Sequence, residues 1–440
     1  MLIGELTGAF MGGKWLPKGR RRTFIIGIII VLAGAILRQI ESYPVYCFST
    51  FLCFFGAGLV QVTSPRYIEE VVPINLYGFF MAMNMLSQNF AVFIGQLLAI
   101  ILPPDDDYEA LEANESYRFI VSSCGIFALI SAVMVFTCVK HETVKFHIIR
   151  DEKEKALDII KLYSENGDPD AVYGKLEREM HRVKKEISMT EAAYKDPQYL
   201  RSTWIAQGLV FLIFMQGWYV ITIDANLIFE KMYDENDPGG ITERTATFTF
   251  VGCTVLGSFA SLWIVGWVGR KNGLVLGSLF NTIILGFATF MLYLGQSLVA
   301  SILIFLFSFS YTALCNSLFM AHIAETNPDV IIGFSFVIAA ISIILLTIAA
   351  IPLLENLGSA PFFLFFTVFA LISTVYNQVY LIESKNLTDK EKKKLYWPKK
   401  KKITDEDVAE EENYETKLAV SEEFEQSNDA DGDNGAAKTQ

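Results

Sequence analysis

The sequence has few charged residues and few of the side chains that bind metals or form disulfides. Charged residues make up 19% of its 440 positions, against about 25% in a typical soluble chain. Six cysteines in a chain of this length, with no C-x-x-C pair, exclude a disulfide-stabilised scaffold. Four scattered histidines argue against a zinc or haem site, and no phosphate loop or nucleophile elbow is present. We therefore expect neither an enzyme nor a bound metal or cofactor.

Long apolar runs take the place of these features. Hydrophobic residues make up 52% of the chain, Phe alone supplies 35 residues, and the mean hydropathy is +0.37. A helix that crosses the hydrocarbon core of a bilayer needs about 20 mostly apolar residues. The sequence therefore predicts an all-α polytopic protein embedded in the lipid bilayer. The predicted spans are 23–40, 44–64, 77–102, 118–139, 203–229, 246–268, 273–294, 297–322, 331–354 and 360–382.

An eleventh apolar stretch, Met1–Gly13, is too short to cross a bilayer. It lacks the basic n-region of a secretory signal peptide. We interpret it as part of a helix, and we expect a longer transcript to encode a further apolar helix that ends just before Met1.

The net charge of −12 comes almost entirely from the end of the chain. After Lys402, thirteen acidic residues are offset only by Lys417 and Lys438, so the remainder is nearly neutral. This distribution excludes a basic surface for nucleic acid. The end of the chain is poor in apolar residues and is predicted to be disordered, where cytosolic partners have access to its acidic part.

Positive charge predicts the orientation of the bundle, because cytosolic loops of membrane proteins are enriched in Lys and Arg. Basic residues concentrate in 14–22, 140–202 and 385–402, which fall on one side if the spans alternate. The loops on the other side are acidic, and one of them contains the glycosylation sequon Asn114-Glu115-Ser116. We expect a glycan on Asn114, a cytosolic C-terminus, and residence in the plasma membrane or, alternatively, an organelle membrane.

The two parts of the chain repeat the same turn motifs in the same order. GAFMGGKWLPKGRRR (8–22) corresponds to GSFASLWIVGWVGRKN (257–272), and PRYIEEVVPINLYG (65–78) corresponds to HIAETNPDVIIG (322–333). Internal repeats of this kind are typical of transporters whose site lies between two halves, near the bilayer midplane. We divide the chain into an N-terminal half at 1–139, a cytosolic loop with short amphipathic helices at 140–202, a C-terminal half at 203–383 and a disordered cytosolic tail at 384–440, first basic and then acidic.

These motifs resemble those of the sugar porter branch of the major facilitator superfamily, over about residues 1–388. PRYIEEVVPINLYG resembles the family's P-x-Y-x-S-E-x-x-P-x-x-x-R-G turn, and HETVKF (141–146) resembles P-E-S-P-R-[FY]. IESKNLT (382–388) resembles P-E-T-K-G-[KR]-[ST], and IFEK (228–231) and PLLENLG (352–358) match two helix ends. The resemblance implies two six-helix halves, with the first helix absent here, and transport of a small organic solute.

The resemblance also implies a cytosolic gate of charged residues that separate when the halves move. Surface ion pairs contribute only about 0–1 kcal/mol each, which suits a gate that opens repeatedly. Ordinary helix-end charges are the alternative interpretation. Several family charges are replaced, by Pro17-Lys18, Gly266-Trp267, Tyr77 and Ile332, so we expect a weakened gate. The candidate gate residues are Arg20, Arg21, Glu70, Glu142, Lys145, Arg270 and Glu325.

The family's sugar-binding side chains are mostly replaced in this sequence. Its Gln-Gln-x-x-Gly-x-Asn run becomes Ile213-Phe214-Met215-Gln216-Gly217-Trp218-Tyr219, and Met85 and Met320 stand in for a Gln and a Trp. We expect the replaced positions to form an apolar wall. A sugar requires a donor or acceptor for each hydroxyl that loses water. The candidate substrate ligands are Gln88, Gln96, Gln216, Asn226, Asn316, Thr254 and, at the outer rim, Asp224, whose alternative role is a carboxylate at headgroup level.

Three functions are compatible with these residues. The first is alternating-access transport of a hexose-like sugar. The second is transport of a different, less polar solute by the same fold. The third is a sugar sensor or scaffold that does not transport.

Overall fold

The computed structural model describes residues 1–99, 101–103, 109–110, 114–163, 168–180, 190–233, 241–385, 387 and 389–397. Within these ranges every regular element is helical, which confirms the predicted all-helical fold. The N-terminal half contains α1 (Leu2–Trp15), α2 (Arg20–Leu37), α3 (Tyr43–Val71), α4 (Ile74–Ala99) and α5 (Ser116–Cys138). The loop contains α6 (Val144–Ile149), α7 (Lys153–Tyr163) and α8 (Pro169–Met180). The C-terminal half contains α9 (Pro197–Phe214), α10 (Trp218–Ile223), α11 (Ala225–Met232), α12 (Glu243–Trp267), α13 (Arg270–Tyr293), α14 (Ser297–Ser310), α15 (Ser317–Thr326), α16 (Asp329–Leu357) and α17 (Ser359–Tyr380), and α18 (Asp389–Lys394) follows.

Seven of the described helices are long and apolar enough to cross a membrane, where the sequence analysis predicted ten. The three differences have local causes. The helix α2 begins with three arginines, and α4 carries the amides of Asn84, Gln88, Asn89 and Gln96. The predicted span 203–229 is divided into α9, α10 and α11 by two breaks.

The two halves meet along two helix pairs, α1 with α16 and α4 with α12. Asn89 Nδ2 of α4 donates to Ser258 Oγ of α12 over 2.7 Å, and the rings of Phe93 and Phe248 lie 5.2 Å apart. The halves also meet where α1, α3, α12 and α15 end and where α2, α13 and α16 begin. We name this end of the bundle the inner end.

Glycines allow α1 and α16 to touch near the inner end. A Cβ added to Gly333 would lie 2.6 Å from the Cα of Gly13. Real Cβ contacts are not this short, so the two backbones are in direct contact. Any larger side chain at this crossing would push the halves apart.

The loop helices α6, α7 and α8 form a small core of their own around Ile148, Ala156, Ile160 and Tyr173. The short amphipathic helices predicted within the 140–202 loop correspond to these three elements as far as Met180. Residues 181–189 of the loop lie outside the described residues.

The start of the predicted disordered tail is ordered against the C-terminal half. Met1–Tyr396 forms one compact unit, and of the second unit, Trp397–Gln440, only Trp397 is described. The Tyr396 hydroxyl lies 2.8 Å from His322 Nε2, and Lys392 Nζ lies 3.2 Å from Glu325 Oε1. The prediction of disorder is therefore wrong for residues 384–385 and 389–396, because buried polar partners on α15 hold the described part of this segment in place.

Candidate functional site

The predicted span 203–229 breaks at Gly217. Helix α9 ends at Phe214, and Gly217 has a φ of +88°, a left-handed conformation that glycine adopts without steric cost. A Cβ at this position would lie 2.6 Å from the ring of Phe366. A second break follows at Asp224, between α10 and α11. Discontinuous helices are typical of the substrate sites of transporters, where the interrupted backbone lines a cavity.

A π-helical turn, Tyr311–Asn316, interrupts the predicted span 297–322 between α14 and α15. Such turns occur frequently at functional sites. The Tyr311 hydroxyl donates to the carbonyl of Ile213 over 3.3 Å, and the rings of Trp218 and Tyr311 stack with centroids 5.4 Å apart. The break in one span therefore lies against the irregular turn in another.

Polar side chains from both halves come together beside these two irregularities. The Tyr219 hydroxyl donates to Asn316 Oδ1 over 3.5 Å. Asn316 is 1% exposed, and its Nδ2 has no hydrogen-bond partner among the described residues. From the N-terminal half, the Glu5 carboxylate interacts with the Gln61 side chain and lies within charge range of Tyr219. We name Glu5, Gln61, Tyr219 and Asn316 the central polar cluster.

Helix length places this cluster near the middle of the bilayer. Glu5 lies ten residues before the end of α1, Gln61 ten before the end of α3, and Asn316 ten before the end of α15. At 1.5 Å per residue, each is about 15 Å from the inner end. That is half of the roughly 30 Å hydrocarbon core.

Aromatic and apolar side chains form a wall next to the cluster. The rings of Phe214 and Tyr219 stack at 4.4 Å, and Phe319 packs edge-on against Phe214 at 5.8 Å. A small apolar cavity lies nearby, and Met320 lines it. Its lining residues are Val210, Phe319, Met320, Ile323, Ser335, Phe336 and Ala339. The other predicted wall residues, Met85, Ile213 and Phe214, are buried in the main core.

Several candidate ligands in the C-terminal half are bonded to one another. Gln216 is fully buried, and its Nε2 donates to Ser373 Oγ over 3.1 Å while its Oε1 accepts from Asn281 Nδ2 over 2.8 Å. Thr254 Oγ1 lies 2.6 Å from Ser308 Oγ, which also accepts from Trp218 Nε1. These hydrogen bonds join helices within the C-terminal half. Gln216 and Thr254 are therefore engaged there and are not members of the central polar cluster.

The remaining candidate ligands lie apart from the central polar cluster. Gln88 is exposed and Gln96 half-buried on α4. Asn226 Oδ1 accepts from Thr247 over 2.6 Å. Asp224 is half-buried at the second helix break, and its Oδ2 is buried without a hydrogen-bond partner in the described residues. A ligand role for these residues, as for Gln216 and Thr254, stays a prediction.

The sequence analysis missed Glu5, Gln61 and Tyr219. Glu5 carried a signal, because it is the one carboxylate within the apolar stretch Met1–Gly13, and an ionisable group inside a membrane is a functional candidate. That stretch was set aside as an incomplete span. Tyr219 occupies the Asn position of the family's Gln-Gln-x-x-Gly-x-Asn run, and the sequence analysis treated it only as the replacement of a sugar ligand.

Buried ion pairs join the halves at the inner end. Arg20 Nη2 lies 2.8 Å from Glu70 Oε1 and 3.1 Å from Asp329 Oδ2. Arg66 Nε lies 2.5 Å from Asp329 Oδ1. Asp329 begins α16 of the C-terminal half, whereas both arginines belong to the N-terminal half. Arg66 and Asp329 were absent from the predicted gate, and Asp329 replaces some of the charge that the sequence appeared to have lost.

A second cluster holds the inner end of the C-terminal half. Glu325 Oε1 lies 2.9 Å from Arg270 Nη2, and Lys392 adds a further contact to the same oxygen. Glu383 accepts from the backbone N–H of Arg270 over 2.7 Å and of Lys271 over 3.1 Å. Burial raises the pKa of Glu383, but these and neighbouring N–H groups and the Arg270 charge outweigh it and lower the pKa overall.

The other predicted gate residues support the start of α2. Glu142 accepts from the backbone N–H of Arg21 over 3.0 Å and of Arg22 over 3.1 Å, so it caps this helix. Arg21 Nε donates to the Val139 carbonyl, and the buried Lys145 lies within charge range of Glu70. A carboxylate at a helix N-terminus is also favoured by the helix dipole.

Two helical halves, cross-half ion pairs at one end and a polar cluster at mid-membrane depth define a multi-pass membrane transporter fold. The chain belongs to the family described as sugar (and other) transporter, whose sequence model matches residues 1–396. This membership confirms the resemblance drawn from the turn motifs.

Curated relatives include hexose and inositol transporters. The chain is 25% identical to hexose transporter 1 of Plasmodium yoelii yoelii, over 64% of this chain and 57% of the relative. It is 23% identical to the probable inositol transporter 2 of Arabidopsis thaliana, over 66% of this chain and 49% of the relative. The chain thus spans about half the length of the curated relatives it matches.

Solved structures with the same fold include the proton:xylose symporter XylE. The form bound to 6-bromo-6-deoxy-D-glucose matches with a TM-score of 0.74 at 17% identity, covering 90% of this chain and 87% of that one. The inward open form of XylE from E. coli matches with a TM-score of 0.66 at 15% identity, with the same coverage. At these identities the likeness shows the fold alone.

Proposed function

We propose that this chain transports a small polyhydroxylated solute, a sugar or polyol, across a membrane by alternating access. The observation that carries the proposal is the central polar cluster, which draws on both halves at the midplane. Membership of the sugar (and other) transporter family and the hexose and inositol transporters among its relatives support the same class of solute.

In the conformation described here, the inner end is closed. The pairs of Arg20 and Arg66 with Asp329 connect the halves, as does the backbone contact of Gly13 with Gly333. Release of solute at the inner end requires these contacts to separate. The basic residues of this end indicate that it faces the cytosol, with the C-terminus on the same side, most simply at the plasma membrane.

In the central polar cluster, one hydrogen-bond donor has no partner among the described residues, and several other polar groups could also bind a solute. The free Nδ2 of Asn316 can donate to a hydroxyl, and Gln61 and Tyr219 can each donate or accept. The apolar wall of Phe319, Met320 and Ala339 offers nothing to further hydroxyls. This wall favours a solute with fewer hydroxyls than glucose, so a less polar organic solute is the second candidate.

Counterflow into proteoliposomes tests the proposal. Labelled D-glucose, D-xylose and myo-inositol are offered to the purified full chain, and Asn316→Ala is compared with Asn356→Ala, an exposed asparagine at the outer end of α16. We expect Asn316→Ala to raise the KM for the transported solute by roughly three- to tenfold, because one hydrogen bond contributes about 0.5–1.5 kcal/mol. Absence of counterflow for all three solutes would reject sugar and polyol transport, and equal KM values in both variants would reject the site.

A further inference from the structure

The apolar cavity beside the central polar cluster is small and lies among core residues. Its lining comes from α9, α15 and α16, and the surface that these helices present to it is apolar. Met320, Ile323 and Ala339 of the lining belong to the main buried core. The cavity has room for about one group of the size of a water molecule or a methyl group.

Helical spacing places the cavity on the same face of α15 as Asn316. Phe319, Met320 and Ile323 follow Asn316 by three, four and seven residues, which are the spacings of side chains that share one helix face. At 1.5 Å per residue, the cavity begins about 5 Å from Asn316, on its inner side. A monosaccharide bound to the Asn316 amide therefore reaches the cavity with one of its substituents.

The cavity offers little to a hydroxyl group or to water. Ser335 is the one lining residue with a polar side chain, and both of its bonding roles are in use. Its O–H donates to the Ile331 carbonyl over 2.9 Å, and its oxygen accepts from Gln207 Nε2 over 3.0 Å. A buried water needs two to four polar partners, so we expect the cavity to stay dry. A solute hydroxyl in this position would lose its water without replacement, which is unfavourable.

A methyl group has the opposite preference. The atoms that line an empty space lack dispersion contacts on that side. A methyl group that fills the space restores these contacts and leaves water at the same time. Burial of one such group raises affinity about fourfold. The cavity therefore distinguishes a methyl group from a hydroxyl at one position of the solute.

We propose that the apolar cavity is a subsite for one methyl group of the transported solute, an inference that rests on the proposed function and narrows it. The solute is then a sugar or polyol that carries a terminal methyl group or a methyl ether in place of one hydroxyl. Its remaining hydroxyls bind Asn316, Tyr219 and Gln61, and its methyl group enters the cavity beside Met320 and Ala339.

Counterflow with matched pairs of solutes tests the subsite in proteoliposomes that contain the full chain. D-glucose is compared with 6-deoxy-D-glucose and 3-O-methyl-D-glucose, and myo-inositol with its mono-O-methyl ethers. For the best methylated solute, we expect a KM about fourfold lower than that of its parent. Equal KM values for every parent and its methylated forms would overturn the subsite and leave the proposed transport function standing.

Variants that change the size of the cavity connect this preference to its lining. Ala339→Val fills the cavity, so the fourfold ratio of KM values should fall to about one. Ala340, the next residue, is equally buried but does not line the cavity, and Ala340→Val should keep the ratio. Val210→Ala enlarges the cavity and should move the preference from methyl to ethyl ethers. This second variant tests the subsite even if Ala339→Val does not fold.

Stabilisation by bound solute gives a readout that does not depend on transport. A ligand that binds only the folded state raises the Tm by an amount that grows with its concentration relative to its Kd. At equal concentrations in detergent, the methylated solute should raise the Tm of the native chain more than its parent does, and Ala339→Val should remove the difference. Such a difference without counterflow of any solute would support the subsite and reject transport. Equal shifts in the native chain would overturn the subsite.

Discussion

Arg66 and Asp329 come from opposite halves of the bundle, and Nε of the first lies 2.5 Å from Oδ1 of the second. Arg20 approaches the other carboxylate oxygen at 3.1 Å. One carboxylate of the C-terminal half is therefore held by two arginines of the N-terminal half, and all three side chains are nearly buried. The closed inner end depends on this carboxylate, because without it the two arginines repel each other.

Asp329→Asn should open the inner end. Removing one partner of a buried ion pair costs about 3–5 kcal/mol, so we expect the closed state to lose most of its population. A cysteine placed at the buried Ala324 position reports this change through its rate of maleimide labelling from the inner side. We expect the rate to rise at least tenfold. Asp158→Asn on the exposed face of α7 is the control, and equal rates in both variants would contradict the gate.

Gly333→Ala should act on the same closed state through sterics. Alanine normally stabilises a helix by up to about 1 kcal/mol relative to glycine. At Gly333 the added methyl group meets the backbone of Gly13, so we expect a lower Tm and faster labelling at the inner end. Gly252 has open space around it, and Gly252→Ala should leave the Tm unchanged or raise it. A higher Tm for Gly333→Ala would show that the helices do not cross at these glycines.

Gln216→Leu should lower stability more than it changes solute affinity. The substitution removes the oxygen acceptor of Asn281 Nδ2 and one of the donors to Ser373 Oγ in a buried network, and a buried polar group that loses its partner costs about 1–3 kcal/mol. We expect a lower Tm in detergent with the KM of the surviving protein within about twofold of the native value. A large rise in KM at unchanged Tm would restore the substrate-ligand role predicted from the sequence.

Glu383 should make the inner end less stable in acid. Its pKa is lowered in the folded protein, so its stabilising effect is present above the unfolded pKa of about 4.3 and is lost as the pH falls through the folded pKa. Glu383→Gln should therefore lower the Tm at about pH 7 and have little effect at about pH 3. Thermal unfolding in detergent at both pH values, with Glu355→Gln as control, measures the difference. An equal loss at both pH values would exclude a charge effect.

Asn114 should carry a glycan when the chain is made in a eukaryotic membrane. Its Oδ1 accepts from the N–H of Ser116, at the start of α5 and at the end of the bundle opposite the ion pairs. Loss of a glycosidase-sensitive mobility shift in Asn114→Gln would support an external position for this end. Protease protection that places the 103–117 loop in the cytosol would reverse the orientation.

The helices and many of the charged residues at the inner end could be predicted from local sequence, whereas the side-chain contacts at the centre of the bundle could not. Apolar runs predict helices because burial in lipid requires every backbone group to bond within its own segment. Arg20, Glu70, Arg270 and Glu325 stand in repeated turn motifs, so their neighbourhood was predictable. Asp329 stands in the same motif as Glu325, but its pairing with Arg20 and Arg66 was not predictable, because these arginines precede it by more than 260 residues and no local pattern connects them.

The direction of Gln216 shows how a break in a helix changes what helical spacing predicts. Along an unbroken helix, Gln216 would lie on the same face as Ile213, three residues before it. The helix ends at Phe214, and the left-handed Gly217 changes the direction of the chain, so that the amide enters the buried network with Asn281 while Tyr219 takes the position beside Asn316. Helical periodicity cannot be extended across a change of chain direction of this kind. Residues before and after Gly217 therefore cannot be assigned to one helical face by their spacing.

Helix α1 can pivot where Gly13 contacts Gly333, and this contact lies near one end of the helix. Glu5 lies eight residues from Gly13, which is about 12 Å along the helix axis. A tilt of about ten degrees around the glycine contact would displace Glu5 by roughly 2 Å over that length. The part of the chain beyond Gly13, which leads to Arg20, would swing in the opposite direction. A tilt of α1 would thus move the Glu5 carboxylate and the turn that leads to Arg20 in opposite directions.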